Sequence, residues 1–129
     1  MEIQTYIAGV IFEDRQSYIK VLKVGYKLWL IREPSNQFDQ NAIRILDSKK
    51  NHLGYIPKKI ASTLAYEMDR GVPHNARVCN IKQIDYDGHL GVEILVEPDY
   101  PDIDEGYVSY ASEFPDMEAY ESWYESSDF

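Results

Sequence analysis

A chain of 129 residues fits one domain and is long enough to bury a hydrophobic core, and it contains no apolar run near the roughly 20 residues that span a bilayer. Its single cysteine, Cys79, excludes an internal disulfide, and with three scattered histidines there is no Cys-x-x-Cys or His-x-x-x-His spacing for zinc. The net charge of −9 argues against nucleic acid only until it is divided along the chain: all 13 Lys and Arg lie between Arg15 and Lys82, so residues 1–96, with 11 acids, carry +2, whereas residues 97–129 carry the other 11 acids and no base.

In chain order, Met1-Glu2 opens without the basic stretch and apolar run of a signal peptide, so a cytoplasmic protein without a membrane segment is expected. Ile3 to Phe12, rich in β-branched and aromatic residues, predicts a strand. Asp14 is placed to cap a short helix running through Ser17 to Leu22, with Gly25 to end it. Tyr26 to Ile31 reads as a second strand, apolar on both faces, stopped by Pro34 and a loop with Ser35, Asn36 and Asp39. Ala42 to Leu46 is a third strand with Ile43 and Ile45 inward and Arg44 outward. After the polar turn Asp47 to His52, Leu53 to Ile56 returns as a fourth. Pro57 suits the first turn of a helix, where its missing N–H is not needed. Ile60, Ala61, Leu64, Ala65 and Met68 recur at helical spacing, and Gly71 ends the run. Ala76 to Tyr86 and His89 to Glu97 are two further strands joined by the hairpin signal Asp87-Gly88, and Leu90, Val92, Ile94 and Val96 alternate so as to bury one face.

About six short strands and two helices in fewer than 100 residues predict a mainly β fold, a small antiparallel barrel with helices across its openings. From Pro98 the character changes: acids alternate with eight aromatics up to Phe129, with Pro101 and Pro115 as breakers and at most a turn or two of helix over Asp116 to Tyr124. The expected organisation is a barrel over 1–97 and an acidic, aromatic-rich tail over 98–129.

Three segments, YIAGVIF (Tyr6 to Phe12), LIREPSNQFDQNAIRI (Leu30 to Ile45) and LGYIPKKIASTLAYEMDRG (Leu53 to Gly71), resemble the HIRAN domain family in residues, order and spacing. The resemblance covers roughly residues 3–97 and leaves out the tail. It implies an OB-like antiparallel barrel that occurs at the N-terminus of DNA-repair translocases acting at stalled replication forks and as a stand-alone bacterial protein. It further implies binding of single-stranded DNA and capture of free 3′-hydroxyl ends. Nothing in the chain resembles the ATPase or RING modules of the larger members, so helicase, ligase and zinc functions are not implied.

The resemblance marks eight DNA-binding candidates: Gly9, Phe12, Asn36, Phe38, Asp39, Tyr55, Lys58 and Lys59. Asp39 stands at the acidic position that accepts the terminal hydroxyl; an Asp in such a loop also bonds its own backbone. Asn36 is either a ligand contact or a residue suited to a left-handed turn, and Asn41 a holder of the loop. Phe12 and Phe38 stand where the family uses aromatics, and either stack on a base or pack in the core. Gly9 admits a close backbone approach or marks a bulge. Lys58 and Lys59 sit at a helix N-terminus, where free N–H groups favour an anion, or are a solvated pair. Tyr55 offers a hydroxyl where animal members place histidine. Ile11 departs from the family arginine, and Arg32 is the nearest base in the motif to replace it.

No catalytic set emerges. Cys79, mid-strand, reads as a small core residue; His52, His74 and His89 read as exposed and lack a partner at obvious spacing; Glu33 and Asp39 alone make a poor nuclease set. A DNA-binding module without cofactor or metal is therefore expected, with single-stranded DNA or 3′ ends in repair as its ligand. The alternative is a protein-interaction or DNA-mimic module acting through the groove or the tail, in which acids imitate phosphates and aromatics imitate bases. The tail itself reads as a cover for the barrel's own groove, a protein-partner hook, or a solubilising segment.

Overall fold

In a computed structural model, which describes residues 2–99, the elements run β1 (Ile3–Tyr6), α1 (Arg15–Ile19), β2 (Lys27–Arg32), β3 (Ile43–Leu46), β4 (His52–Tyr55), α2 (Lys58–Asp69), β5 (His74–Gln83) and β6 (Leu90–Pro98). The tail readings, including the helical turn at Asp116 to Tyr124, lie outside the described residues. The strands form one antiparallel sheet in the order β1-β6-β5-β2-β3-β4. The sheet curls until its edges meet: Ala8, just past β1, exchanges two backbone hydrogen bonds with Tyr55 of β4, at 2.8 and 3.0 Å.

Alternation explains the core. Leu28 and Leu30 of β2, Ile43 and Ile45 of β3, and Val92, Ile94 and Val96 of β6 all point inward and are buried. α1 packs on β4 and β6. α2 starts after Pro57 and buries Ile60, Ala61, Leu64 and Ala65 in the same cluster.

Three expectations need correction. The first strand ends at Tyr6, not Phe12, because Gly9 turns the chain at φ +77; the composition of a strand does not reveal that turn. The first helix ends at Ile19, and Asp14 at its N-cap makes no side-chain cap bond. β2 is apolar on both faces, as expected, but only Leu28 and Leu30 are buried: Trp29 and Ile31 face solvent, 40% and 43% exposed. Cys79 is not core but half-buried, at the bulge where the β5–β6 register shifts between Val78 and Asn80.

One buried group was not anticipated. Ile60, Leu64 and Glu67 follow at i, i+4 and i+7, so the carboxyl lies on the helix face that meets the core, fully buried, with neither oxygen hydrogen-bonded among the described residues. Burial pushes its pKa up, against the smaller opposing pull of Arg70. A raised folded pKa means that Glu67 is tolerated best below its unfolded value of 4.5 and penalises the fold as pH rises through the folded value. Glu67→Met is therefore expected to stabilise the protein by about 1–3 kcal/mol near pH 8. The gain should shrink toward pH 4 in urea titrations across that range. Equal gains at both ends would show that Glu67 does not titrate in this window.

Candidate nucleic-acid interface

The loop after β2 is organised around one carboxylate. Glu33 Oε1 accepts from Asn36 Nδ2 at 3.1 Å and from the Tyr55 hydroxyl at 2.9 Å, while Oε2 accepts from Arg44 Nε at 2.5 Å and pairs with the same guanidinium. Burial alone would raise the Glu33 pKa, but the bonds from Asn36, Arg44 and Tyr55 and the Arg44 charge outweigh it and hold the carboxyl below its ordinary range. Burial and the bond to Glu33 push the Tyr55 phenol up, so it remains a proton donor at neutral pH.

Asn36 Oδ1 accepts the backbone N–H groups of Phe38 and Asp39 at 2.8 and 3.0 Å, an Asx turn that fixes the backbone at both residues. Asp39 Oδ1 accepts the Asn41 N–H at 2.9 Å, and its other oxygen has no partner among the described residues. Both readings of Asp39 are thus sterically open at once: one oxygen holds the loop and the other is available. Arg32 anchors the far side. Its Nη1 and Nη2 donate to the carbonyls of Ala42 and Gln40 at 2.8 and 3.0 Å, and Nε and Nη2 reach the Asp69 carboxylate of α2 at 2.9 and 3.1 Å. Arg32 is therefore a strut for the loop and does not stand in for the arginine absent at Ile11.

The opposite wall comes from the turn after β1. Arg15, 9% exposed, donates from Nη1 to the Gly9 carbonyl at 2.8 Å and pairs through Nη2 with Glu13 at 2.5 Å. Its guanidinium lies 5.6 Å from the centroid of the Tyr55 ring. A Cβ on Gly9 would meet Arg15 Nη1 at 2.8 Å, so the close approach as well as the positive φ calls for glycine.

Between the two walls lies a cavity of about 850 Å³. Seven of the eight candidates line it: Gly9, Phe12, Asn36, Phe38, Asp39, Tyr55 and Lys58. Lys59, exposed on the next position of α2, does not. Phe12 and Phe38 are 62% and 91% exposed, which removes the core-packing reading for both. Sequence reasoning missed Arg15, a guanidinium on the same cavity; its only sequence signal is a base directly after the Gly9 turn. Ile11 faces a second groove, of about 820 Å³, that shares Ala8, Gly9 and Phe12 with the first.

The histidines also differ from expectation, since all three are half-buried. His52 meets the Tyr55 ring edge-on at 5.0 Å; burial and the charges of Arg15 and Arg44 lower its pKa. His89 has a partner after all, Asp85, four residues back at 2.6 Å. Asp85, Asp87 and His89 bring ligand-type atoms within 4.8 Å of one another at the tip of the β5–β6 turn, away from the cavity.

The cavity thus combines two exposed aromatic faces, an arginine, a lysine, an amide and an unengaged carboxylate oxygen. That set suits an unstacked base, phosphates and a hydroxyl donor.

The family model described as HIRAN domain matches residues 2–97. A Fanconi-associated nuclease 1 homolog from Arabidopsis thaliana is 37% identical over 67 residues, 52% of this chain and 7% of that protein. The helicase-like transcription factor of Oryctolagus cuniculus is 40% identical over 52 residues, 40% of this chain and 5% of that one. The chain therefore corresponds to a small part of these relatives. Among solved structures, the HIRAN domain of human HLTF superposes with a TM-score of 0.59 at 21% identity, covering 75% of this chain and 74% of that one, and bears on the fold. A protein from Lactobacillus plantarum gives 0.59 at 26% identity, covering 75% of this chain and 99% of that one.

Proposed function

The chain belongs to the HIRAN domain family, and from that premise we propose that its barrel is a DNA-binding module without catalytic activity of its own, which seats the 3′ end of a single strand in the Gly9–Asp39–Tyr55 cavity. The observation that carries this reading is the unengaged Asp39 oxygen set in one cavity with Phe12, Phe38, Arg15 and Lys58. In this reading Phe38 or Phe12 stacks on the terminal base, Arg15 and Lys58 meet phosphate, and Asp39 accepts the terminal hydroxyl. Asn36 and Tyr55 are held by Glu33 so that Asn36 orients Asp39 and Tyr55 faces the ligand. Glu33 is committed to three donors, which fits a supporting role and not hydrolysis. Residues 1–97 form the binding unit in this proposal, and the acidic stretch 98–129 is a separate segment open to a protein partner.

The test is fluorescence anisotropy with labelled single strands that end in a 3′-hydroxyl or a 3′-phosphate, at two salt concentrations. The hydroxyl strand should bind about tenfold or more tightly, a difference of about 1.4 kcal/mol. Contact with two or three phosphates should give a log–log salt slope of about −1.5 to −2. Equal affinity for the two ends would sink the 3′-end reading, and no measurable binding would sink the DNA reading altogether.

A further inference from the structure

The outward face of β2 leads away from the cavity in one continuous strip. Leu28 and Leu30 point into the core, so Lys27, Trp29 and Ile31 point out, and Trp29 and Ile31 leave two large apolar surfaces in solvent. Single exposed apolar residues are ordinary, but the ladder puts these in line with others. Residues directly opposite on neighbouring strands share a face. Lys27 stands opposite Arg77, Trp29 opposite Leu46, Ile31 opposite Arg44, and Arg44 opposite Tyr55, which lines the cavity. From strand spacings, Trp29 lies about 12 Å from Tyr55 along this strip.

We propose that this strip is a second subsite of the same interface, taking the nucleotides that precede the 3′ end, with Trp29 as a stacking platform and Lys27 and Arg77 as phosphate partners. It rests on the reading of the cavity as a DNA-end site. The occupant is argued from charge and continuity. The Lys27 ammonium sits 5.2 Å from the centroid of the Trp29 ring and has no carboxylate partner among the described residues. The pairing of Arg77 with Glu97 is a long surface contact of 3.4 Å between partly exposed groups, which a phosphate can displace. An indole with a lysine at its ring, and an arginine opposite that lysine on the next strand, matches a polyanion that carries aromatic bases. An apolar protein surface would bury the Lys27 ammonium without a counter-charge. The path runs past Arg44 and joins the cavity at Tyr55, so one strand can occupy both.

The experiment uses the full chain and oligothymidylates of two and eight nucleotides, both with free 3′-hydroxyls. The octamer is expected to bind about tenfold or more tightly than the dimer. Trp29→Ala should erase that gain with length, and Trp29→Phe, which keeps a platform, should retain most of it. In a Trp123→Phe background, where Trp29 is the one tryptophan of the chain, the octamer should quench fluorescence and the dimer should not, a readout that does not depend on the alanine variant folding. If the dimer binds as tightly as the octamer, or if Trp29→Ala keeps the gain, the strip is not a subsite while the cavity reading stands. If neither oligonucleotide binds, both readings fall.

Discussion

Gly54→Ala is expected to remove about 4 kcal/mol of stability, a large share of the roughly 5–15 kcal/mol typical of a small domain. Gly54 has φ +147, and a Cβ built on it would lie 2.3 Å from the Ala8 carbonyl oxygen and 2.6 Å from Ile7 Cγ2. The nearer obstacle is backbone, so no side-chain rotation relieves it. The conformation itself costs a residue with a Cβ about 1–3 kcal/mol. Relief of the clash also separates Ala8 from Tyr55, losing two hydrogen bonds worth about 1 kcal/mol each. Thermal melts should show the midpoint falling by about 20 °C. A loss below about 1 kcal/mol would mean that the two edges relax apart without penalty.

Asp39→Ala is expected to abolish discrimination between a 3′-hydroxyl and a 3′-phosphate. A hydrogen bond to a charged acceptor is worth about 1.5–3 kcal/mol, roughly 10- to 150-fold. The diagnostic is the ratio of the two affinities and not either affinity alone. Removing a negative charge from the cavity favours any polyanion, so overall binding to single strands is not expected to fall in parallel. Asp39→Asn keeps an acceptor for the Asn41 N–H that Oδ1 holds at 2.9 Å, which separates collapse of the loop from loss of the charge. It should retain the loop and lose most of the ratio. An unchanged ratio in Asp39→Ala would remove Asp39 from the site.

The core was legible in the sequence wherever burial followed a period. Ile43 and Ile45, the β6 alternation, and Ile60, Ala61, Leu64 and Ala65 all point where their spacing says. The reading failed where geometry departs from period. Gly9 ends a run that by composition continues to Phe12, because a positive φ leaves no trace in hydrophobicity. Trp29 and Ile31 look like core in a list of apolar residues, and only the pairing of β2 with β3 and β5 shows them on the outer face. Met68 was chosen to complete the α2 stripe, yet the fully buried member of that turn is Glu67, which a polarity-based pattern passes over. The site divides in the same way. The motif residues Asn36, Phe38, Asp39 and Tyr55 converge on the cavity, as does Gly9. Arg15 joins them only because the turn folds a short helix back over Tyr55, a contact with no local signature. The partner of Glu33 in Arg44 is eleven residues away and becomes visible only when β2 and β3 pair.

The ring of strands closes through Ala8 and Tyr55, and those same two residues form part of the cavity wall. The barrel's seam and its mouth are one place. Every other neighbour in the ring is joined along a ladder, whereas here a single bridge holds. Breathing of the barrel should therefore begin where the proposed ligand enters. A strand seated across that gap would splint it, and by mass action each tenfold rise in ligand above its Kd adds about 1.4 kcal/mol to the folded state. Under the proposed function, occupancy and closure are the same event read from two sides, and a small barrel with one weak stave should be most rigid when it holds a strand.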